Sequence, residues 1–177
     1  MNKTDDRRSA ILDQLADHIL AHGLIASSLR PLAKAAGTSD RMLLYYFADK
    51  AELISAALEV VAARTIALLA ARATLHPLPY DALLKQFGAH FDDPELWPFL
   101  RVFLEVASRS ANGDILYREI GERLGRGFYA WGMDQLESDQ AETDAARLLV
   151  MIEGMIYLKA IGLSDVVRAA LPSMQEI

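Results

Sequence analysis

Apolar residues recur at helical spacing along almost the whole chain, and this periodicity restricts the fold more than any other feature. Within residues 6–21, one helix face would carry six apolar side chains: Ile11, Leu12, Leu15, Ala16, Ile19 and Leu20. No segment shows a convincing alternation of apolar and polar residues, which is the pattern of a half-buried strand. The sequence therefore predicts an all-α protein.

Helix-breaking residues divide the chain after this first helix, which Gly23 would close. A short helix capped by Ser27 or Ser28 would end near Ala35, and further helices are predicted at 40–47, at 50–74 after Asp49, and at 80–90, 94–110, 114–136, 142–162 and 164–170. The strongest break is the segment His76-Pro77-Leu78-Pro79. We predict an N-terminal domain over residues 1–53, a connecting fourth helix over 50–74, and a C-terminal helical domain over 54–177.

Two short helices and a four-residue turn follow each other within residues 27–53. The small residues Ala36 and Gly37 allow the two helices to cross closely, and Gly37 can take the positive φ that the turn needs. Leu43 and Phe47 lie four residues apart, so both can fix the second short helix to the helices before it. This arrangement is typical of a helix-turn-helix, whose second helix enters the major groove of DNA.

With Leu43 and Phe47 facing inward, the other side chains of residues 40–47 must lie outside or on a flank. The outward residues would be Asp40, Arg41, Met42, Leu44 and Tyr45, with Tyr46 on the flank. Some alternatives stay open. Tyr46 could be a core residue, Arg30 and Lys34 could be a solvated face of the second helix, and Arg7 and Arg8 could be a frayed basic end or contact a minor groove.

The run from about Arg8 to Leu58 resembles the N-terminal domain of TetR-family transcriptional regulators. The matching motifs are Ile11-Leu12, Gly23, Ser28-Leu29-Arg30, Leu32-Ala33-Lys34-Ala35-Ala36-Gly37, Ser39, Leu43, Phe47, Lys50 and Glu52-Leu53. Their order and spacing are too specific for a chance amphipathic helix. The resemblance implies an all-helical, dimeric regulator with an N-terminal DNA-binding domain and a ligand-sensing C-terminal domain.

The resemblance also implies which residues contact double-stranded DNA. They are Ser28, Arg30, Asp40, Arg41, Met42, Leu44, Tyr45, Tyr46 and Lys50. Ser28 and Arg30 would contact phosphate and groove, and Lys50 would pair with a phosphate. Arg41 and Met42 occupy base-reading positions, where a bidentate Arg–guanine pair contributes ~1–3 kcal/mol of discrimination.

This chain departs from the family pattern within the predicted recognition helix. Leu44 stands where the family usually has Tyr, so Tyr45 and Tyr46 would have taken over its backbone contact by a shift of one position. Arg41 often corresponds to Gly or Pro in relatives. Asp40 would repel phosphate unless it accepts a hydrogen bond from cytosine N4 or pairs with Arg41.

The distribution of charge permits DNA contact at one end of the chain only. The net charge is −6, but residues 1–53 contain seven basic and seven acidic residues, so the excess negative charge lies in 54–177. A neutral N-terminal part allows DNA binding without requiring it. The N-terminal sequence has no apolar signal-peptide segment, and no run of about 18 uncharged apolar residues occurs, so we expect a cytoplasmic protein without a membrane span.

The C-terminal half is rich in aromatic residues and methionine, which could line an apolar cavity for a small effector or be ordinary core. The predicted pocket residues are Trp97, Phe103, Glu105, Phe128, Trp131, Met151 and Met155. Glu105 and Glu153 lie inside apolar runs, and a buried carboxylate is costly unless it is paired. Each could bond a ligand or an Arg, or lie at a groove edge or interface, with an ordinary Glu105–Arg109 helix pair as the default.

The segment 145–162 is apolar nearly all round, so a second subunit could cover the side that its own domain leaves open. The family resemblance likewise implies a homodimer, formed through helices at about 114–136 and 142–162. A symmetric dimer predicts a palindromic operator with one recognition helix for each half-site. Repression that is relieved by the effector is the family's common mode.

Two other function classes agree less well with the sequence. A helical enzyme is disfavoured because the sequence has no cysteine, no Glu-x-x-His pair, no Gly-x-Ser-x-Gly and no phosphate-binding Gly loop. His90 with Asp92 and Asp93 is the only compact His/carboxylate group and reads as a loop, so we expect no metal, cofactor or catalytic residue. A protein-interaction module without DNA binding would explain the acidic C-terminal part but not the motifs in residues 27–53.

Overall fold

The computed structural model describes residues 3–24, 28–72 and 76–171. The helices in these ranges are α1 (Lys3–His22), α2 (Leu29–Ala35), α3 (Asp40–Tyr46), α4 (Lys50–Ala70), α5 (Tyr80–Ala89), α6 (Trp97–Ala111), α7 (Ile115–Asp134), α8 (Ala141–Ala160) and α9 (Ser164–Ala170). The only β-type pairing among the described residues is an isolated bridge between Leu78 and Leu136. The prediction of an all-α fold is therefore confirmed.

Three predicted helix ends have the glycine or the capping side chain that the sequence indicates. Gly23 follows α1 with φ +74°, a conformation that glycine adopts without steric cost. The Ser39 hydroxyl accepts a hydrogen bond from the Met42 N–H at 3.3 Å, and the Asp49 carboxylate accepts one from the Glu52 N–H at 2.8 Å. Ser27 and Thr74 lie outside the described residues, but α4 already ends at Ala70, so the predicted end near Thr74 is too late.

The chain forms two compact units, and the first comprises residues up to Thr65 together with Arg101–Glu122. The apolar stripe of α1 is its main core element, because five of the six predicted stripe residues are buried: Ile11, Leu12, Leu15, Ala16 and Ile19. Leu53, Ile54 and Leu58 of α4 are also buried in this unit. The helix-turn-helix therefore rests on a core that α1 and α4 supply.

Three polar side chains of α6 hold the end of α1 within this first unit. The Glu105 carboxylate accepts a hydrogen bond from the Leu24 N–H at 2.6 Å. Arg101 donates to the Leu20 carbonyl at 2.9 Å, and Arg109 donates to the Leu24 carbonyl at 3.2 Å. The Leu20 carbonyl is one of those that a helix C-terminus leaves without a helical partner, and the two Leu24 groups belong to the chain just after the helix.

The second unit comprises Ile66–Leu100 and Arg123–Ile177, of which residues 66–72, 76–100 and 123–171 are described. Its core joins α5, α8 and α9 and is formed by Leu83, Leu84, Phe87, Phe91, Leu136, Ala145, Leu148, Met155 and Val167. The predicted domain boundary at residues 53 and 54 stays a prediction, since α4 contributes residues to both units.

Helix α4 is long and apolar enough to cross a membrane by length and composition alone. Its sequence has a second explanation, because seven of its residues are buried inside the protein: Leu53, Ile54, Ala57, Leu58, Val61, Ala62 and Thr65. A core helix needs this composition without any membrane.

Candidate DNA interface

The turn between α2 and α3 has the geometry that the sequence predicts for a helix-turn-helix. The Gly37 N–H donates to the Lys34 carbonyl at 3.1 Å, and the Thr38 N–H donates to the Ala33 carbonyl at 2.9 Å. Gly37 has φ +57°. These bonds close α2 and redirect the chain, so that Ser39 can cap α3.

The inner side of α3 is fixed by two fully enclosed side chains. Leu43 has no exposed surface and Phe47, which follows the helix, has 1 %. Leu32 and Ala36, on the α2 side of the turn, are equally enclosed. Burial on this scale holds a seven-residue helix that would be unstable alone in water.

The outer side of α3 is open to solvent although much of it is apolar. Tyr45 is 72 % exposed, Leu44 46 % and Met42 41 %, and Arg41 and Asp40 are exposed beside them. Ser39, Arg41, Met42, Leu44 and Tyr45 line one shallow open depression. Exposed apolar groups beside an arginine suit the edges of bases, where thymine methyl groups and guanine acceptors lie together.

Tyr46 is half-buried and its ring meets the Tyr45 ring edge to face, with 5.1 Å between centroids. The flank position predicted for Tyr46 therefore agrees with the structure. The contact orients the exposed Tyr45 ring without burying it.

Three further predicted DNA-contacting residues lie at the starts of α2 and α4. Ser28 is the N-cap of α2, but its side chain makes no capping hydrogen bond, so the hydroxyl stays available. Arg30 and Lys50 are exposed, and neither forms an ion pair with a carboxylate among the residues that the structure describes. Exposed cations of this kind can neutralise phosphates.

Arg8 has a role that the sequence did not reveal. Its guanidinium donates to the Glu52 carboxylate at 2.9 Å and lies over the Phe47 ring, 4.7 Å from the centroid. The other Glu52 oxygen accepts from the Ala48 N–H at 2.6 Å. Arg8 and Glu52 thus join α1, the end of α3 and the start of α4. Neither prediction for Arg8, a frayed basic end or a minor-groove contact, includes this network.

Predicted effector-pocket residues line two separate cavities in the second unit. Trp131 lines a pocket in the second unit, whereas Met151 and Met155 line a separate open groove along α8. Glu105 instead binds the Leu24 N–H in the first unit. The Trp97 ring lies 4.9 Å from the Lys159 ammonium. Phe103 and Phe128 are half-buried, and neither lines the pocket that contains Trp131.

The pocket that contains Trp131, here called the α5 pocket, is mostly apolar. Its lining residues are Leu69, Arg72, Leu83, Gln86, Phe87, His90, Trp131, Leu148 and Ile152. The cavity has a volume of about 30 Å³, enough for one or two ordered water molecules. Gln86 lies in α5, which the sequence shows as an ordinary amphipathic helix, and His90 caps the C-terminal end of that helix. Neither residue was predicted to line an effector pocket.

Among the described residues, no group of three or more His, Asp or Glu side chains is placed to hold a metal ion.

Glu153 is the second carboxylate that the sequence places inside an apolar run. It lies on α8, and the residue as a whole is exposed. Partial burial of its carboxyl group nevertheless raises the pKa of Glu153 above the usual glutamate value.

Residues 11–57 match the family model described as bacterial regulatory proteins, tetR family. That range contains α2, the turn, α3 and the first part of α4, which carry the candidate interface. A search of curated proteins found no match to this chain.

Several solved structures resemble the chain over most of its length. A TetR-family transcriptional regulator from Cytophaga hutchinsonii is 16 % identical, with a TM-score of 0.71 over 99 % of each chain. A protein from Rhodococcus sp. that is placed in the same family is 20 % identical, with a TM-score of 0.70 over 94 % of this chain and 95 % of that one. A transcriptional regulator from Saccharomonospora viridis in complex with choline is 20 % identical, with a TM-score of 0.64 over 94 % of each chain. At these identities the similarity establishes a shared fold.

Proposed function

We propose that this chain is a DNA-binding transcriptional regulator of the TetR family and acts as a cytoplasmic repressor. The match of residues 11–57 to the tetR family model and the fold shared with solved regulators support this proposal. The protein binds a palindromic operator as a homodimer, and a small, largely apolar effector releases it. The observation that carries the proposal is the outer side of α3, where Arg41, Met42, Leu44 and Tyr45 are exposed while Leu43 and Phe47 hold the helix from within.

The contacts divide into two kinds with different consequences. Ser28, Arg30 and Lys50 are placed to bind phosphates, which supplies affinity that does not depend on sequence. Arg41 and Met42 lie near the start of α3, the part of a recognition helix that reads base edges. Asp40 accepts a hydrogen bond from cytosine N4 or pairs with Arg41, and Tyr46 contacts the DNA backbone from the flank of α3.

The exposed apolar surface of α8 supports a homodimer. Val150, Tyr157 and Ile161 are 74 %, 57 % and 53 % exposed, and with Gly154 they form one stripe at helical spacing. An apolar stripe of this kind is unusual on a monomer and suits a second copy of the same helix. The exposed side of α7 is mainly charged, with Arg118, Glu119 and Arg126 among its residues. We therefore place the dimer contact on α8, with a smaller contribution from α7.

The α5 pocket is the site at which we propose that the effector acts. Helix α4 is continuous from Lys50, at the candidate DNA interface, to Leu69, which lines the pocket. A ligand larger than the 30 Å³ cavity must displace lining side chains, and a shift of α4 would move Lys50 and the recognition helix. The ligand shifts the equilibrium only through unequal affinity for the two arrangements. The choline complex of the S. viridis protein supports small-ligand binding by this fold.

The first prediction separates base reading from phosphate binding. Sequences bound by the protein are selected from random duplex DNA, and the affinities of Arg41→Ala and Lys50→Ala are then measured by fluorescence anisotropy. Arg41→Ala should lose ~1–3 kcal/mol on the selected sequence and much less on others, because a base contact is removed. Lys50→Ala should weaken binding to all sequences about equally and reduce the salt dependence by about one phosphate contact.

Circular dichroism and thermal unfolding of both variants serve as controls, since Arg41 and Lys50 are exposed and should not affect folding. If both variants bind every duplex as the unchanged protein does, the assignment of this surface is wrong. If the unchanged protein shows no salt-dependent DNA binding at all, the proposed function is wrong, and the interaction-module alternative is favoured.

The second prediction concerns the dimer. Val150→Glu places a charge in the α8 stripe and should convert the protein to monomers in analytical ultracentrifugation, because two desolvated carboxylates would face the contact. Ala82→Glu, at an exposed position of α5 outside the proposed contact, is the matched control and should leave the dimer intact. Dimers that persist in Val150→Glu, or are lost only in Ala82→Glu, would contradict the placement on α8.

A further inference from the structure

The polar residues of the α5 pocket indicate the chemistry of its ligand, an inference that rests on the proposed effector function. Six lining residues are apolar: Leu69, Leu83, Phe87, Trp131, Leu148 and Ile152. The polar ones are Arg72, Gln86 and His90. In a mostly apolar pocket, a few polar groups determine which ligands bind, because each one left without a partner costs free energy.

One end of the Gln86 side-chain amide forms a hydrogen bond within the described part of the chain, and the other end does not. Its Nε2 donates to the Arg72 carbonyl at 2.7 Å. A carbonyl only accepts, so this bond fixes the orientation of the amide and leaves Oε1 on the other side. Oε1 is enclosed and has no hydrogen-bond partner within the described part of the chain. A buried amide oxygen without a partner is unusual in proteins and favours a ligand that donates to it.

A neutral His90 ring can also accept a hydrogen bond. Its Nδ1 lies 2.9 Å from the Gln86 carbonyl oxygen. Because that oxygen can only accept, Nδ1 carries the proton, and in the neutral ring Nε2 is an acceptor. Gln86 and His90 therefore both offer acceptors.

The one cation of the pocket is already neutralised. Arg72 forms ion pairs with Asp93 at 2.5 Å and with Glu95 at 2.9 Å. Hydrogen bonding from the Glu95 N–H, together with Arg72, lowers the pKa of Asp93, so this partner stays ionised. Two carboxylates for one guanidinium leave no positive charge for an anionic ligand.

We propose that the α5 pocket binds a compact, largely apolar molecule without an anionic group, whose hydroxyl or N–H donates a hydrogen bond to Oε1 of Gln86. The apolar body of the ligand displaces the side chains around Trp131 and Leu69. The donor determines which apolar molecules the protein senses.

The test uses three single-ring probes in ligand-observed NMR titrations of the full chain without DNA. Phenol carries a donor, toluene has a similar shape without one, and benzoate is anionic. In the unchanged protein, benzoate should bind at least about tenfold more weakly than phenol, since an anion meets no free cation. In Gln86→Met the preference for phenol over toluene should fall by roughly 5- to 10-fold, the usual effect of one hydrogen bond.

Gln86→Glu is the matched control, because it also loses the bond to the Arg72 carbonyl but keeps an acceptor. It should retain the preference for phenol over toluene. Ile152→Phe fills the pocket and should weaken phenol and toluene alike, which locates both in the cavity. Three results would overturn the proposal: an unchanged preference in Gln86→Met, tighter binding of benzoate than of phenol, or no binding of phenol up to millimolar concentration. A failure of DNA binding in the separate anisotropy experiments would overturn the proposed function without changing these titrations.

Discussion

Phe47→Ala is expected to lower the free energy of unfolding by ~3–5 kcal/mol, the range for removing a fully enclosed aromatic ring from a core. Phe47 is 1 % exposed and lies under the Arg8 guanidinium, so the variant leaves a cavity and removes a cation–π contact. Urea unfolding followed by circular dichroism measures the change. DNA binding should fall as well, because the ring fixes the end of α3.

Tyr45→Ala is the matched control for this prediction, since it removes an aromatic ring two residues away. Tyr45 is 72 % exposed, so its loss should change the free energy of unfolding by no more than ~0.5 kcal/mol. Its effect should appear in DNA affinity instead. Equal stability losses in the two variants would show that Phe47 does not anchor the recognition helix.

Gly23→Ala is expected to destabilise the protein by roughly 2–5 kcal/mol through two separate effects. Gly23 has φ +74°, and an L-residue in the left-handed region costs ~1–2 kcal/mol. A Cβ atom at this position would also overlap the Glu105 carboxylate, which accepts the Leu24 N–H. Displacing that carboxylate leaves the N–H without its charged acceptor, which costs about 1.5–3 kcal/mol.

Gly37→Ala separates the two effects, because Gly37 has a similar φ of +57° and nothing lies within 4 Å of the added Cβ. Only the conformational cost of ~1–2 kcal/mol should remain. Both variants are compared in the same urea titrations. A loss in Gly23→Ala no larger than that in Gly37→Ala would mean that the contact with Glu105 contributes nothing to stability.

Local patterns were sufficient for the helices and the helix-turn-helix. The stripe of α1, the caps at Ser39 and Asp49 and the positive φ of Gly23 and Gly37 each depend on residues within about four positions of one another. Helical periodicity also predicts that Arg41 and Tyr45 are exposed, because their neighbours Leu43 and Phe47 face the core.

The pocket could not be predicted in the same way. The sequence favoured the conspicuous aromatic and methionine residues, of which only Trp131 lines the α5 pocket. Two of its polar residues are Gln86, within α5, and His90, at the C-terminal end of that helix, and no local motif marks either as a pocket residue. Their importance depends on hydrogen bonds with the Arg72 and Gln86 carbonyls, which are visible only when the backbone path is known.

The sequence by itself determined the all-α class, the order of the helices and the helix-turn-helix motif, because helical periodicity and capping act between residues that are close along the chain. Only the tertiary structure decided that Arg8 joins Glu52 and that Glu105 binds the Leu24 N–H, 44 and 81 residues away respectively. It also decided that Arg72 is neutralised by Asp93 and Glu95. The partner of a charged side chain depends on which distant segments fold beside it, and local periodicity carries no information about that.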